Sequence, residues 1–239
     1  MEIAREVWRR ATATQAAPPV WVVAMTAVLA VFLVWAPGAW PITRHVVTIA
    51  HEAAHGFAAL MTGRRLHGIR LHSDTSGLTV SAGRATGPGM IITTAAGYVG
   101  PGLLGLAASA MLAQQRAVGL LWALLILLAL LLIQVRNWFG LWSLLVSAAM
   151  VFGVSWWLQP RVQSAFAYAL TWFLLLAAPR PVLELQAMRR AAGTSHQGSD
   201  AEQLARLTGL PAVLWVGFFL AMTVGALGLG AKWMVAAAG

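Results

Sequence analysis

The sequence contains no cysteine and few charged residues. Charged residues make up only 10% of the 239 positions, whereas hydrophobic residues make up 59% and the mean hydropathy is +0.75. Without cysteine the chain has no disulfide and no thiolate that could bind a metal or act as a nucleophile. A soluble domain carries about 25% charged residues. These shortages exclude a soluble enzyme, a secreted disulfide scaffold and a disordered chain, and they indicate a protein that crosses a membrane several times.

Lysine is nearly absent, since fifteen of the sixteen basic residues are arginine and only Lys232 is lysine. The net charge is +9, but the arginines stand mostly singly between apolar runs, with no aromatic-interleaved basic patch. Such a distribution does not indicate a nucleic-acid partner. In a membrane protein, the positions of the basic residues indicate which side of the membrane each loop faces.

The apolar runs predict an all-α polytopic membrane protein of about seven transmembrane helices, with a small cytoplasmic β-hairpin after the second. A helix needs about 20 residues to cross the hydrocarbon core. The first run begins late for a signal peptide and is interpreted as a retained span. We take residues 1–239 as a single integral-membrane domain. The predicted spans are residues 20–36, 46–62, 90–112, 117–135, 138–158, 162–178 and 211–231.

The basic residues predict the direction of insertion. If the N-terminus is cytoplasmic, seven spans leave twelve basic residues inside and four outside. The four outside residues are Arg44, Arg116, Arg161 and Lys232. This bias satisfies the positive-inside rule. The composition, rich in arginine over lysine, suggests a bacterial protein of the inner (cell) membrane, and the lipid bilayer is then its first partner.

Two segments between the spans have structure of their own. Residues 65–83 alternate apolar and polar positions around a Ser/Asp/Gly turn, which predicts a β-hairpin. Residues 179–210 form a long polar stretch in which Gly193–Gly198 is expected to be flexible. A short helix is predicted at Asp200–Leu207, with Ser199 or Asp200 as its cap.

The strongest chemical signal is His51-Glu52-Ala53-Ala54-His55. On a helix, positions i and i+4 share a face, so both imidazoles can bind one ion. Zn²⁺ suits this ligand type, and Glu52 is placed to take a proton from a water molecule that the metal activates. Ionisable side chains inside an apolar segment are functional by default. The alternative is two neutral histidines and a protonated glutamate that only bond neighbouring helices.

A tetrahedral zinc site needs a third protein ligand. We choose Asp200, because the start of a helix holds a short carboxylate firmly; its alternative role is only to cap that helix. Asp74 is interpreted as a turn residue and Glu184 as a solvated charge on a basic loop. The further candidates are His67, His72, His196 and Glu202, followed by Glu2 and Glu6 in the N-terminal tail.

Small residues mark the third span at Gly97, Gly100, Gly102 and Gly105. Such spacing lets transmembrane helices approach closely. We therefore interpret these glycines as packing positions rather than as ligand-binding residues.

Several stretches together resemble the site-2 protease family of intramembrane zinc metallopeptidases, in particular its short bacterial subgroup without a PDZ domain. The stretches are His51-Glu52-Ala53-Ala54-His55-Gly56, Thr62-Gly63, Ala96-Gly97-Tyr98-Val99-Gly100-Pro101, Arg136-Asn137-Trp138-Phe139-Gly140, and Ser199-Asp200-Ala201 with Leu207-Thr208-Gly209-Leu210-Pro211. The resemblance implies His51 and His55 as zinc ligands and Glu52 as the catalytic base. It also implies a membrane-spanning protein substrate that pairs with the hairpin as an added strand.

One departure leaves an alternative open. Family members usually supply the third ligand from an Asp-Gly pair in a later helix, and this sequence has no such pair. Asn137 matches the asparagine of that motif and is a weak candidate for binding substrate. Either Asp200 completes the site of a zinc-dependent intramembrane endopeptidase, or the protein is a catalytically inactive membrane binding protein. A metal or proton transporter is less consistent, because the ionisable residues occupy one span only.

Overall fold

The computed structural model describes residues 2–192 and 198–238, which form ten helices and one two-stranded antiparallel sheet. Most elements are apolar helices connected by short loops. In chain order they are α1 (Glu2–Thr12), α2 (Val20–Trp35), α3 (Trp40–Met61), β1 (Arg65–Leu71), β2 (Gly77–Ala82), α4 (Pro88–Ala113), α5 (Ala117–Gln134), α6 (Trp138–Trp157), α7 (Pro160–Ala177), α8 (Pro179–Ala192), α9 (Asp200–Thr208) and α10 (Ala212–Ala236).

The number of membrane-spanning helices differs from the predicted seven. In the described residues, α4, α5, α6, α10 and the continuous helix pair α7–α8 are long and apolar enough to cross a membrane. The α2–α3 pair qualifies only as a unit, and it is bent by 99°. The 16 residues of α2 rise about 24 Å, less than the hydrocarbon core of about 30 Å. The described residues therefore contain five helices that could cross a membrane, or six such units if the bent pair forms one span.

The bend follows from the residues at the α2–α3 junction. A residue before proline disfavours helical backbone, and Ala36 before Pro37 is extended, with ψ 127°. The second helix restarts at Trp40-Pro41, where proline is tolerated because the first-turn N–H groups have no intrahelical acceptor. The same Pro-Gly break that suggested two separate spans in the sequence thus forms the elbow of one bent pair.

The N-terminal segment lies beside the loop between α4 and α5. The Gln15 backbone N–H donates to the Gln115 carbonyl at 2.8 Å, and the Gln15 side-chain oxygen accepts from Val118 N–H at 3.0 Å. Seven spans would place these segments on opposite sides of a core about 30 Å thick, so that prediction is wrong in this respect. We call the end of the helix bundle that contains residues 2–19 and 114–116 the N-terminal end; the end of α6 lies there too, since Arg10 donates to the Trp156 carbonyl. The hairpin lies at the opposite end of α4, and we call this end of the bundle the hairpin end.

This arrangement predicts a labelling pattern. Because the chain has no cysteine, single-cysteine variants can be labelled cleanly with a membrane-impermeant maleimide at the exposed positions Ala13, Gln114 and Ser73. We expect Ala13→Cys and Gln114→Cys to react from the same side of the membrane and Ser73→Cys from the other. Reaction of the first two from opposite sides would restore the seven-span order.

The predicted hairpin is present. Strands β1 and β2 pair antiparallel with Arg65 opposite Ala82, and a bulge falls between Leu66 and Gly68. In the turn, the Asp74 carboxylate accepts hydrogen bonds from the backbone N–H and hydroxyl of Ser76, as expected of a turn residue. One face of the sheet packs against α3, with Ile69 buried.

The segment predicted as a long polar stretch is largely helical. The α7 helix continues into α8, so Glu184 lies on a helix rather than on a basic loop. The predicted flexibility of Gly193–Gly198 concerns residues 193–197, which lie outside the described residues. The short helix is confirmed as α9, one residue longer than predicted. Its cap is Ser199, whose hydroxyl accepts from Glu202 N–H at 3.3 Å.

Candidate metal centre

The two histidines of the HEAAH segment point to one place. They lie one turn apart on α3, and their Nε2 atoms are 3.0 Å from each other. The Nδ1 of His55 lies 2.7 Å from the carbonyl oxygen of Thr93 on α4. When Nδ1–H donates to that carbonyl, the neutral ring carries its lone pair on Nε2. This tautomer is the one that can bind a metal through Nε2.

Asp200 joins this pair from a distant part of the sequence. Its Oδ2 lies 3.3 Å from Nε2 of His51 and 3.2 Å from Nε2 of His55. Buried Ala201 and Leu204 pack α9 into a cluster that includes Phe219 of α10. Ser199 caps α9, so the Asp200 carboxylate is not used for capping. It faces the two histidines instead.

The three side chains fit a zinc ion. The ligand atoms form a triangle with edges of 3.0, 3.2 and 3.3 Å. Atoms at tetrahedral positions on zinc, with bonds of about 2.0–2.1 Å, lie about 3.3 Å apart. Oδ2 of Asp200 is buried and has no hydrogen-bond partner in the described structure, and a buried carboxylate oxygen without a partner is costly. Among the described residues this is the one group of three His, Asp or Glu side chains close enough to hold a metal.

Glu52 lies next to this group and is held by the hairpin. Its side chain is 5% exposed, and its Oε2 accepts a hydrogen bond from the Thr79 hydroxyl on β2 at 2.7 Å. A Cβ on Gly77 would overlap the Glu52 carboxylate, so β2 approaches as closely as it does because position 77 is glycine. Sequence reasoning missed Gly77, Thr79 and Thr93, because nothing in their local pattern indicates which helix they will face.

The glycines of α4 let that helix lie against α3. A Cβ on Gly97 would overlap the ring of His55, and one on Gly100 would overlap the side chain of Ala54. Tyr98, between them, places its ring edge-to-face with His51 at 4.9 Å and stacks on Phe219. The packing interpretation is therefore confirmed for Gly97, Gly100 and Gly105, and at Gly97 the packed neighbour belongs to the candidate metal centre.

Gly97→Ala is expected to destabilise the protein by about 1–3 kcal/mol, because the added methyl group overpacks a close helix contact. It should also lower bound zinc by displacing the His55 ring. Thermal unfolding in detergent and metal analysis would measure both. Gly217→Ala is the matched control, since a Cβ there meets nothing within 4 Å. Equal effects of the two substitutions would contradict a specific contact at Gly97.

Asn137 does not join the metal centre. Its amide nitrogen donates to the Leu71 carbonyl at 2.6 Å, and its side-chain oxygen accepts from Leu71 N–H at 3.1 Å. Both ends of the amide thus bind the last residue of β1 and hold the hairpin to the start of α6. A direct contact with substrate stays a prediction, and the observed bonds give Asn137 a positioning role.

The other candidate ligands lie elsewhere. Glu184 pairs with Arg44 and Arg180 and accepts from Trp40 Nε1 at 2.9 Å, so it is not a solvated charge. His196 lies outside the described residues. The remaining candidates do not belong to the group: Asp74 and His72 contact Ser76, Glu202 pairs with Arg189, Glu6 pairs with Arg9 and Arg10, His67 is exposed on the hairpin, and Glu2 lies in α1.

A multi-pass helical membrane protein with an HExxH segment and a converging carboxylate has the architecture of a membrane-embedded metallopeptidase. Comparison with known families agrees, because residues 24–230 match the family Peptidase M50B-like. The chain belongs to this family of site-2 protease-type metallopeptidases. Neither a curated protein nor a solved structure matches the chain significantly.

Proposed function

We propose that this protein is a zinc-dependent intramembrane endopeptidase, with His51, His55 and Asp200 as metal ligands and Glu52 as the catalytic base. The observation that carries this proposal is the convergence of Asp200 on the two HEAAH imidazoles. Residues so far apart in sequence place three ligand atoms at zinc-ligand spacing. Family membership supports the same chemistry.

Zinc bound there would make a water molecule acidic enough to lose a proton near neutral pH and would polarise a peptide carbonyl. Glu52 takes the proton from the attacking water and passes it to the leaving amine. The Thr79 hydroxyl holds the Glu52 carboxylate in place at 2.7 Å. The Thr93 carbonyl holds the His55 ring. The chain thus supplies the base, the hydroxyl that orients the base and the carbonyl that orients a proposed metal ligand.

The hairpin suggests how a substrate is held. The outer edge of β1 is occupied, because Arg136 N–H donates to the Ile69 carbonyl at 2.9 Å and Val135 bridges Ile69. Among the described residues, the outer edge of β2 has no strand partner. Since β2 also holds Glu52 through Thr79, an extended segment added to that edge would lie beside the base. An unwound stretch of a membrane-spanning protein fits this requirement.

The hairpin end, with the site, is proposed to face the cytoplasm of a bacterial cell. Eight basic residues belong to this end: Arg64, Arg65, Arg70, Arg84, Arg136, Arg189, Arg190 and Arg206. Six belong to the other: Arg5, Arg9, Arg10, Arg116, Arg161 and Lys232; Arg44 and Arg180, which both pair with Glu184, are counted at neither end. The excess favours a cytoplasmic hairpin end. Because the N-terminal segment lies at the other end, this orientation reverses the one predicted for the N-terminus.

The experiment that tests the function combines metal removal with mapping of new protein ends. In membranes from cells that express the protein, mass spectrometry should find peptide ends inside the apolar segments of single-span proteins. We expect these ends to disappear when a zinc chelator is added to the membranes and to return when zinc is restored. Ends that persist unchanged under chelation, or that occur equally in cells lacking the protein, would contradict the proposal.

A further inference from the structure

A basic pocket lies on the outer face of the hairpin, away from the metal centre. It has a volume of about 130 Å³ and is lined by His67, Gly68, Arg70, Val80 and Arg136. None of these five lining residues, all in the described part of the chain, is acidic. Arg136 lies this close to β1 because position 68 is glycine, with φ +148°: a Cβ there would overlap the Arg136 side chain.

The arginines of the pocket are free to bind an anion. The ion pairs among the described residues leave out Arg70 and Arg136 and engage other arginines: Arg9, Arg10, Arg44, Arg180 and Arg189. Arg136 NH1 donates to the carbonyls of Ile133 and Val135 at the end of α5, which holds its guanidinium in place. His67 offers a ring N–H in any protonation state. Two permanent positive charges, one of them held in place, and a donor match the oxygens of a phosphate group.

The surface below the pocket indicates that this phosphate belongs to a lipid. Ile126, Leu130 and Ile133 form one face of α5, and each is more than half exposed. Ten residues separate Ile126 from Arg136, a rise of about 15 Å, or half of a hydrocarbon core of about 30 Å. An acyl chain lying along this face would end with its headgroup at the pocket.

We propose that this pocket binds the phosphate of an anionic phospholipid, with an acyl chain on the exposed face of α5. A zwitterionic choline headgroup would bring a cation next to two arginines, whereas a phosphatidylglycerol headgroup brings none. The bound headgroup would bridge Arg70 of β1 and Arg136 before α6, and so hold the hairpin to the helix bundle. This inference does not depend on the proposed peptidase activity.

Native mass spectrometry of the purified protein with equal amounts of phosphatidylglycerol and phosphatidylcholine tests the proposal. We expect preferential retention of one phosphatidylglycerol. Each of Arg70→Gln and Arg136→Gln should weaken it about fivefold, and the double variant about 25-fold. The double lysine variant should keep most of the affinity, which separates loss of charge from misfolding. Arg161→Gln, an equal change of charge at the N-terminal end, is the control and should have no effect.

Three results would overturn this proposal. Equal retention of the two lipids would show that the pocket does not select an anion. An equal loss in Arg161→Gln would show that only net charge matters. Displacement of phosphatidylglycerol by a similar concentration of inorganic phosphate would show that the pocket takes free phosphate and that the acyl chain contributes nothing.

Discussion

Replacing Glu52 by glutamine is expected to reduce peptide cleavage by about 10²–10⁴-fold while leaving bound zinc in place. An amide of the same shape cannot take a proton from water. It can still accept a hydrogen bond from Thr79, which lies 2.7 Å from Oε2 in the native site. The carboxylate of Glu52 does not belong to the group of converging ligand atoms. Zinc content and packing should therefore survive the substitution.

Rates of cleavage in proteoliposomes and zinc content measured on the same preparation would check this prediction. Glu202→Gln is a suitable control, because it makes the same exchange on an acid that pairs with Arg189 rather than with the site. A Glu52→Gln variant that cleaves at the native rate would remove Glu52 from its proposed role. A variant that loses zinc together with activity would instead make Glu52 part of the metal's surroundings.

Asp200→Ala is expected to lower zinc affinity by more than about 100-fold. Removing an outer partner of a metal ligand costs about 10–100-fold in affinity, and a direct ligand should cost more. The helix that carries Asp200 should survive, because Ser199 provides its cap and Ala201 and Leu204 its buried contacts. Loss of metal should therefore occur without loss of the fold.

Metal analysis of the wild type beside Asp200→Ala and His55→Ala measures this effect, and circular dichroism checks the helices. Asp74→Asn is the matched control, since Asp74 was a candidate ligand but bonds only within its turn. Zinc lost in His55→Ala but kept in Asp200→Ala would reopen the choice of third ligand. A wild type that takes up no zinc in excess metal would favour the inactive binding protein.

The local part of the site could be predicted because it depends on one helix. The HEAAH spacing places both imidazoles on one face whatever surrounds α3. The hairpin and α9 were likewise predicted to within a few residues, since alternation, turn residues and a serine cap are local signals. Asp200 was selected from several acids by an argument about helix starts. The structure brings it to the histidines, and its role as a ligand stays a prediction.

The span count was not predictable in the same way. Hydropathy identifies apolar helices, but it does not show whether two of them together cross the membrane once. The elbow at Pro37-Gly38 allows α2 and α3 to form one bent span, and the contact of Gln15 with Gln115 brings the N-terminal segment to the loop between α4 and α5. The predicted direction depends on the same count, because a single miscounted crossing exchanges the sides of every segment that follows it.

Sequence by itself determined that this chain belongs in a membrane and that His51, Glu52 and His55 share one helix turn, because composition and helical period are local properties. Only the tertiary structure decided which groups from other elements contact that turn. It brings Thr93 to His55, Thr79 to Glu52 and the Asp200 carboxylate to both imidazoles. These partners come from three separate elements, α4, β2 and α9, and their meeting depends on how closely the glycines of α4 and β2 allow the backbones to approach.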